Sequence, residues 1–149
     1  MKKILFLCHG NICRSPMAEY IMKDIVKKNH KEDEYEIYSK ALTYEEIGND
    51  IYYKAKEILD KYHIPYDKRQ ASIFTKYDYD YYDIIIIMDD ENKYYLNRII
   101  EDKNNKVFKL MNFLNKTRDV SDPWYTRDFE TAYDDIINGC TALYKYLEE

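Results

Sequence analysis

Apolar positions recur along this chain in two rhythms, and the rhythms alternate. Ile4-Leu5-Phe6-Leu7 is an unbroken apolar run, as in a strand buried on both faces. Ala18, Ile21, Met22, Ile25 and Val26 then follow the spacing of one helix face. Tyr35 to Ser39 reads as a second strand. Ile51, Ala55, Ile58, Leu59 and Tyr62 form a second helical stripe, stopped near Pro65. Ile84 to Met88 is the clearest strand, a β-branched run too apolar to face water. A helix over Glu91 to Ile100 and a short strand over Val107 to Leu110 follow. The last helix carries Phe129, Tyr133, Ile136, Ile137, Cys140, Leu143, Tyr144 and Leu147 on one face. Strands alternating with helices predict an α/β domain with a parallel sheet. Ligands of such sheets bind beyond the C-terminal strand ends, where residues 8–15 fall. The segment TKYDYDYYD, Thr75 to Asp83, reads as a solvated turn or short helix before the third strand. A regulatory tyrosine cluster is the sharper reading of it, with no further support.

Composition narrows this picture only a little. A chain of 149 residues has room for one domain with an ordinary core. The net charge of −5 speaks against general nucleic-acid binding, but not against a local pocket for an anion. No stretch approaches the roughly 18 apolar residues of a membrane span, so no membrane partner is expected. The start, MKKILFLCHGN, lacks a long apolar region and a small-residue cleavage site, so no signal peptide is read. Three cysteines do not make a disulfide framework, and the expected home is a reducing cytoplasm.

Candidate chemistry is concentrated in LFLCHGNICRSP, residues 5–16. Five residues separate Cys8 from Arg14. Ser15-Pro16 reads as a helix N-cap followed by the first helical residue. A loop entering a helix there offers unpaired N–H groups and the positive end of a dipole. Successive loop N–H groups can converge on an anion. Gly10 and Asn11 are types that tolerate a left-handed backbone. Arg14 adds a planar fork suited to two phosphate oxygens. The same positive potential favours the Cys8 thiolate, and Ser15 can donate its hydroxyl to the sulfur. The predicted chemistry is attack of the thiol on phosphorus, with the loop amides and Arg14 holding the equatorial oxygens. It requires neither metal nor cofactor. The blander alternative is a buried cysteine at a strand end with an arginine on the next helix.

Such a reaction needs its leaving oxygen protonated, and a carboxylic acid can do this. Little chain precedes Cys8, so the acid has to come from downstream. The candidate is Asp122 in VSDPWYTRDF, where Asp-Pro fixes an extended or turn conformation. Trp124 and Tyr125 could wall the pocket and stack on an aromatic substrate.

LCHGNICRSPMAE, Leu7 to Glu19, together with Asp122-Pro123, resembles the low-molecular-weight protein tyrosine phosphatase family over the whole chain. Ser39-Lys40-Ala41 and Glu45 to Asn49 resemble the family's variable recognition loop, and Asp83 to Asp89 its third strand. The resemblance implies a single three-layer domain over residues 1–149, a four-stranded parallel sheet flanked by helices, with the phosphate-binding loop after strand 1. It implies Cys8 as nucleophile, Arg14 as phosphate clamp, and Asp122 as general acid and then base. His9, Gly10, Asn11, Ile12, Cys13 and Ser15 complete the loop. Asn11 would hold its shape and Ser15 would assist the thiolate. Cys13 beside Cys8 suggests reversible disulfide protection under oxidation. Cys140 reads as core.

Some positions depart from the family pattern. A His that often buttresses the Asn is replaced at Lys68. The two tyrosines of the acid loop are Trp124-Tyr125. The recognition loop has Glu45 where an aromatic is common, with Tyr44 next door as a substitute. His9, His30 and His63 are expected to have no catalytic role. The implied substrate is a phosphotyrosine-containing protein or a small aryl phosphate, handled by a monomer or weak dimer. Protein arginine phosphatases share the fold, but a small polar residue is expected where Ile12 stands. Arsenate reductases need further cysteines, and none lies between Leu59 and Val120. A rhodanese-like sulfurtransferase usually carries its cysteine loop late in a longer chain. A non-catalytic phosphate-binding module is opposed by the intact Cys8, Arg14 and Asp122.

Overall fold

The computed structural model describes residues 1–149. Four strands form one parallel sheet: β1 (Lys2–Cys8), β2 (Tyr35–Ala41), β3 (Ile84–Ile87) and β4 (Val107–Lys109). Their order is β2-β1-β3-β4. The chain therefore leaves β1 toward one edge and later returns to β1's other side. The connections after β1 and β3 diverge there, opening a crevice at their C-terminal ends.

The apolar runs read as strands because both sheet faces are covered. Ile4, Phe6, Ile84 and Ile86 point into one core with helices α1 (Arg14–Lys28), α2 (Tyr53–Lys61) and α6 (Phe129–Glu148). Leu5, Leu7, Ile85 and Ile87 point the other way. They meet residues of α3 (Lys76–Tyr81) and α4 (Asp90–Asn97). Each buried Ile or Leu contributes roughly 1.5–3 kcal/mol over an exposed one. A second edge of the main core is closely fitted. A Cβ on Gly139 of α6 would come within 2.5 Å of Leu110 Cγ.

Several expected boundaries move. Helix α1 begins at Arg14, with Cys13 in the cap position and no side-chain cap. Ser15 and Pro16 thus lie inside its first turn, where a proline's missing N–H costs nothing. From there Ser15 does not cap, and its hydroxyl lies 3.0 Å from Cys8 Sγ. In α2, Ile51 and Tyr62 fall just outside the helix, and the chain reverses at His63 (φ 57°) before Pro65. Helix α4 stops at Asn97, although Ile99 and Ile100 still pack on its core. Leu110 begins a short 3-10 turn to Leu114 rather than ending β4.

The tyrosine-rich segment is a short helix with a reciprocal Thr75–Asp78 cap. It is not wholly solvated, since Tyr79 and Tyr82 enter the core and Asp78 pairs with Lys40 at 2.9 Å. No helix is long and apolar enough to cross a membrane.

Candidate active site

Cys8 ends β1, and residues 9–13 curl from it into α1. Four carbonyls of this loop are held by donors from outside it. The carbonyls of Cys8, His9, Asn11 and Ile12 turn outward and accept from Leu42 N, Thr43 N, Arg69 Nη1 and Tyr52 N, at 2.8–3.1 Å. The N–H groups of residues 9–13 donate to no acceptor within the protein. Donors so arranged make a cradle for an anion above the Cys8 sulfur. Asn11 takes the left-handed backbone the loop needs (φ 59°). Gly10 does not, contrary to expectation. Its lack of a side chain matters differently: a Cβ there would sit 3.2 Å from Glu46 Cγ, at the pocket wall.

The sulfur lies against Ser15. Cys8 Sγ lies 3.0 Å from Ser15 Oγ, and the Ser15 N–H donates to it at 3.4 Å. Arg14 is almost fully buried, 2% exposed. It donates to Asp89 Oδ2 (2.6 Å), to the Val120 carbonyl (2.9 Å) and, at 3.4 Å, to Asp122 Oδ2. Burial works against its charge. The charges of Cys8, Asp89 and Asp122 outweigh burial and hold its pKa above the ordinary arginine value. Asp89 caps α4 through Asn92 N at 2.7 Å, so one carboxylate anchors both a helix and the guanidinium.

Asp122 approaches from the opposite wall. It caps the four-residue helix α5 (Pro123–Thr126) by accepting from Trp124 N at 3.0 Å. A pocket of about 240 Å³ lies between the walls. Cys8, Gly10, Cys13 and Arg14 line it, and Ile12, Trp124 and Tyr125 offer apolar surface. Glu45 and Glu46 close another side.

A model of the family described as "Low molecular weight phosphotyrosine protein phosphatase" matches residues 3–149. This chain belongs to that family. It is 34% identical over 148 residues to a protein of Staphylococcus aureus (strain MRSA252) named low molecular weight protein-tyrosine-phosphatase PtpA, covering 99% of this chain and 94% of that one. It is also similar to the solved structure of YfkJ from Bacillus subtilis, with a TM-score of 0.95 and 34% identity over 99% and 95% of the two chains. A low molecular weight protein tyrosine phosphatase from Streptococcus pyogenes gives a TM-score of 0.87 and 37% identity over 100% and 99%. The resemblance read from Leu7 to Glu19, and the sheet it implied, are therefore both found.

Within this family frame, some sequence expectations change. Tyr44 does not line the pocket; its ring is exposed and Glu46 stands there instead. His9 is half-buried and lines the pocket. Its ring contacts Glu45 through Nε2, lies 3.6 Å from Glu91 through Nδ1, and meets Tyr95 edge-on. His30 and His63 sit in left-handed turns after α1 and α2 (φ 57° each), away from the site. Lys68 does not buttress Asn11; the neighbouring Arg69 does. Burial, then the Cys8 charge, push the Cys13 thiol far up, and burial alone does the same for Cys140. Arg69, Tyr52 and the Val120 carbonyl carried no local signal in the sequence. Only Asp89 had a hint, as an N-cap type directly after an apolar strand.

Proposed function

We propose that this chain hydrolyses phosphotyrosine in proteins, or a small aryl phosphate, through a cysteinyl-phosphate intermediate. The observation that supports this reading is the loop's hydrogen bonding: the N–H groups of residues 9–13 have no acceptor within the protein, and Cys8 and Arg14 line one pocket. In the first step the Cys8 thiolate attacks phosphorus as the bond to the phenol oxygen breaks. Asp122 delivers its proton to that oxygen, and tyrosine leaves. In the second step Asp122, now a carboxylate, takes a proton from water. The water attacks phosphorus, the S–P bond breaks, and phosphate and thiolate result. Charge gathers on the equatorial oxygens in both steps, and the preorganised donors act there. The cycle balances with no metal or cofactor.

Ile12, Trp124 and Tyr125 would hold the phenyl ring. Ile12 gives an apolar contact and offers nothing to a guanidino group, which disfavours a phosphoarginine substrate. The reading carries with it a cytoplasmic setting that keeps Cys8 reduced, a monomer or weak dimer, and no nucleic-acid or membrane partner.

The test is phosphate release from a phosphotyrosine peptide at mildly acidic pH, with reductant and EDTA, for wild type and Cys8→Ser. Turnover in wild type and none in Cys8→Ser is expected. A folded, reduced wild type that releases phosphate from phosphoarginine but not phosphotyrosine would replace the substrate. One that binds phosphate and hydrolyses neither would leave a binding module.

A further inference from the structure

One side of the pocket is made of carboxylates without a lysine or arginine partner. Glu45 and Glu46 line it, and the His9 ring links Glu45 to Glu91 in the first turn of α4. His9 Nε2 meets Glu45 Oε2, and Nδ1 lies 3.6 Å from Glu91 Oε1. Thr43 Oγ1 donates to Glu45 at 3.2 Å, and Asn49 Nδ2 to Glu46 at 2.6 Å. None of these three carboxylates forms an ion pair with a lysine or arginine. Their neighbours do. Asp50 pairs with Lys56 at 2.8 Å, Asp78 with Lys40 at 2.9 Å, and Asp90, directly before Glu91, with Lys109 at 3.0 Å.

In either protonation state of His9 this wall is negative, and the chain's net charge of −5 adds to it. The phosphoryl group of the substrate is negative as well. Arg14 already faces Asp89 and Asp122. Arg127 is bonded to Tyr52 and lines no part of the pocket. The charge missing from the mouth is a positive one, and the substrate can bring it. An acidic residue beside phosphotyrosine would meet like charge. A lysine or arginine there would bring its head to Glu45 and Glu46. Its stem or guanidinium could lie on Trp124 and Tyr125, which are both exposed. An aromatic ring in place of Glu45 would offer no such discrimination.

We propose that Glu45 and Glu46, with Glu91 across the His9 ring, are specificity-determining residues that select phosphotyrosine flanked by lysine or arginine over phosphotyrosine flanked by aspartate or glutamate. They make no separate site; they select at the mouth of the pocket over Cys8. The inference rests on the reading of that pocket as a phosphotyrosine site. The Glu45 and Glu91 side chains are 64% and 65% exposed, so water and salt screen each pair. Each charge is then worth about two- to fivefold in kcat/KM.

The test uses two peptides with the same phosphotyrosine, one with lysine on both sides of it and one with glutamate. kcat/KM is measured at low and at high salt for wild type, Glu45→Gln, Glu46→Gln, Glu91→Gln and the triple variant. Glutamine keeps the shape of each side chain and removes its charge. Wild type should favour the lysine peptide about tenfold at low salt. Salt should lower its kcat/KM and raise that of the glutamate peptide. Each single variant should narrow the gap, and the triple variant should close it. Equal turnover of both peptides by wild type at low salt would overturn the inference. So would a preference that the triple variant keeps in full, or one that salt leaves unchanged. If the triple variant does not fold, the single variants and the salt dependence decide. Binding of the same two peptides, dye-labelled, to wild type and to Cys8→Ser is followed by fluorescence anisotropy. No hydrolysis of either peptide, with the lysine peptide held more tightly through Glu45 and Glu46, would remove the phosphatase reading and leave this one standing. Neither turnover nor binding would overturn both.

Discussion

The two walls of the pocket are built by opposite means. The loop from Cys8 to Ser15 is buried apart from His9 and Gly10, and the polar groups behind it have fixed partners: Asn11 with Arg69, Ser15 and Ser39, and Arg14 with Asp89 and Val120. The turn from Asp122 to Arg127 is one short helix with its face in water. Tyr125 is 78% exposed and Trp124 42%. Its ties are a cap, a 3.4 Å contact from Arg14 to Asp122, an edge-on Tyr52–Trp124 contact at 4.9 Å, and Arg127 bonded to Tyr52 and laid beside the same rings. The difference follows the chemistry assigned to each wall. Charge stabilisation needs donors already in place, because reorganising them would cost the energy they supply. An acid that must meet a leaving group, then a water, needs only a tether. Few buried contacts make such a segment the easier one to open.

Arg14→Lys strikes the rigid wall and should give the largest loss. It keeps the charge but not the fork that reaches Asp89, Val120 and the substrate at once. A fall in kcat of about 100- to 1,000-fold is expected, as for loss of one preorganised donor. A loss of only a few-fold, measured with the phosphotyrosine peptide, would mean that the loop amides carry the phosphate almost alone.

Asp122→Asn strikes the other wall, and its size depends on the substrate. Loss of general acid catalysis costs about 100- to 10,000-fold for a poor leaving group. The cost should shrink for an aryl phosphate whose phenolate leaves without help. Asparagine can still accept from Trp124 N, so the α5 cap and the thermal stability should hold. An equal loss on both substrates would place Asp122 in the role of holding Arg14, 3.4 Å away, rather than of giving a proton.

The contrast also explains what could be read in advance. Strand and helix order were legible because both faces of β1 and β3 are buried, which writes unbroken apolar runs into the sequence. The nucleophile loop was legible because its members are adjacent: Cys8, Asn11, Arg14 and Ser15 fall within eight residues. Its support was not. Arg69 is 58 positions from Asn11, and Asp89 is 75 from Arg14. Only the sheet order brings them together. Lys68 stood in for Arg69 because a one-residue difference within an irregular stretch has no periodicity to correct it. Tyr44 was assigned to the wall for a similar reason: residue type suggested a ring, and the turn of the loop put Glu45 and Glu46 there instead.

Arg127 is where the two walls can be separated most finely. It holds a left-handed backbone (φ 61°), which strains any residue with a side chain. Its guanidinium donates to the Tyr52 hydroxyl at 2.9 Å and lies near Trp124 and Phe129. Tyr52 in turn donates its N–H to the Ile12 carbonyl, so it joins the acid turn to the rigid loop. Arg127→Gly relieves the backbone and removes that joint together. The two effects oppose each other in stability, since glycine at such a position is worth up to about 1 kcal/mol and an exposed hydrogen bond about as much. Tm should therefore barely move. Catalysis has no such compensation. A freer turn presents Asp122 less often, so kcat should fall several-fold while Cys8 alkylation stays as in wild type. If alkylation changes too, strain and contacts at Arg127 reach the nucleophile through Tyr52, and the two walls are one mechanical unit. If neither changes, the cap from Asp122 to Trp124 is enough to hold the acid by itself.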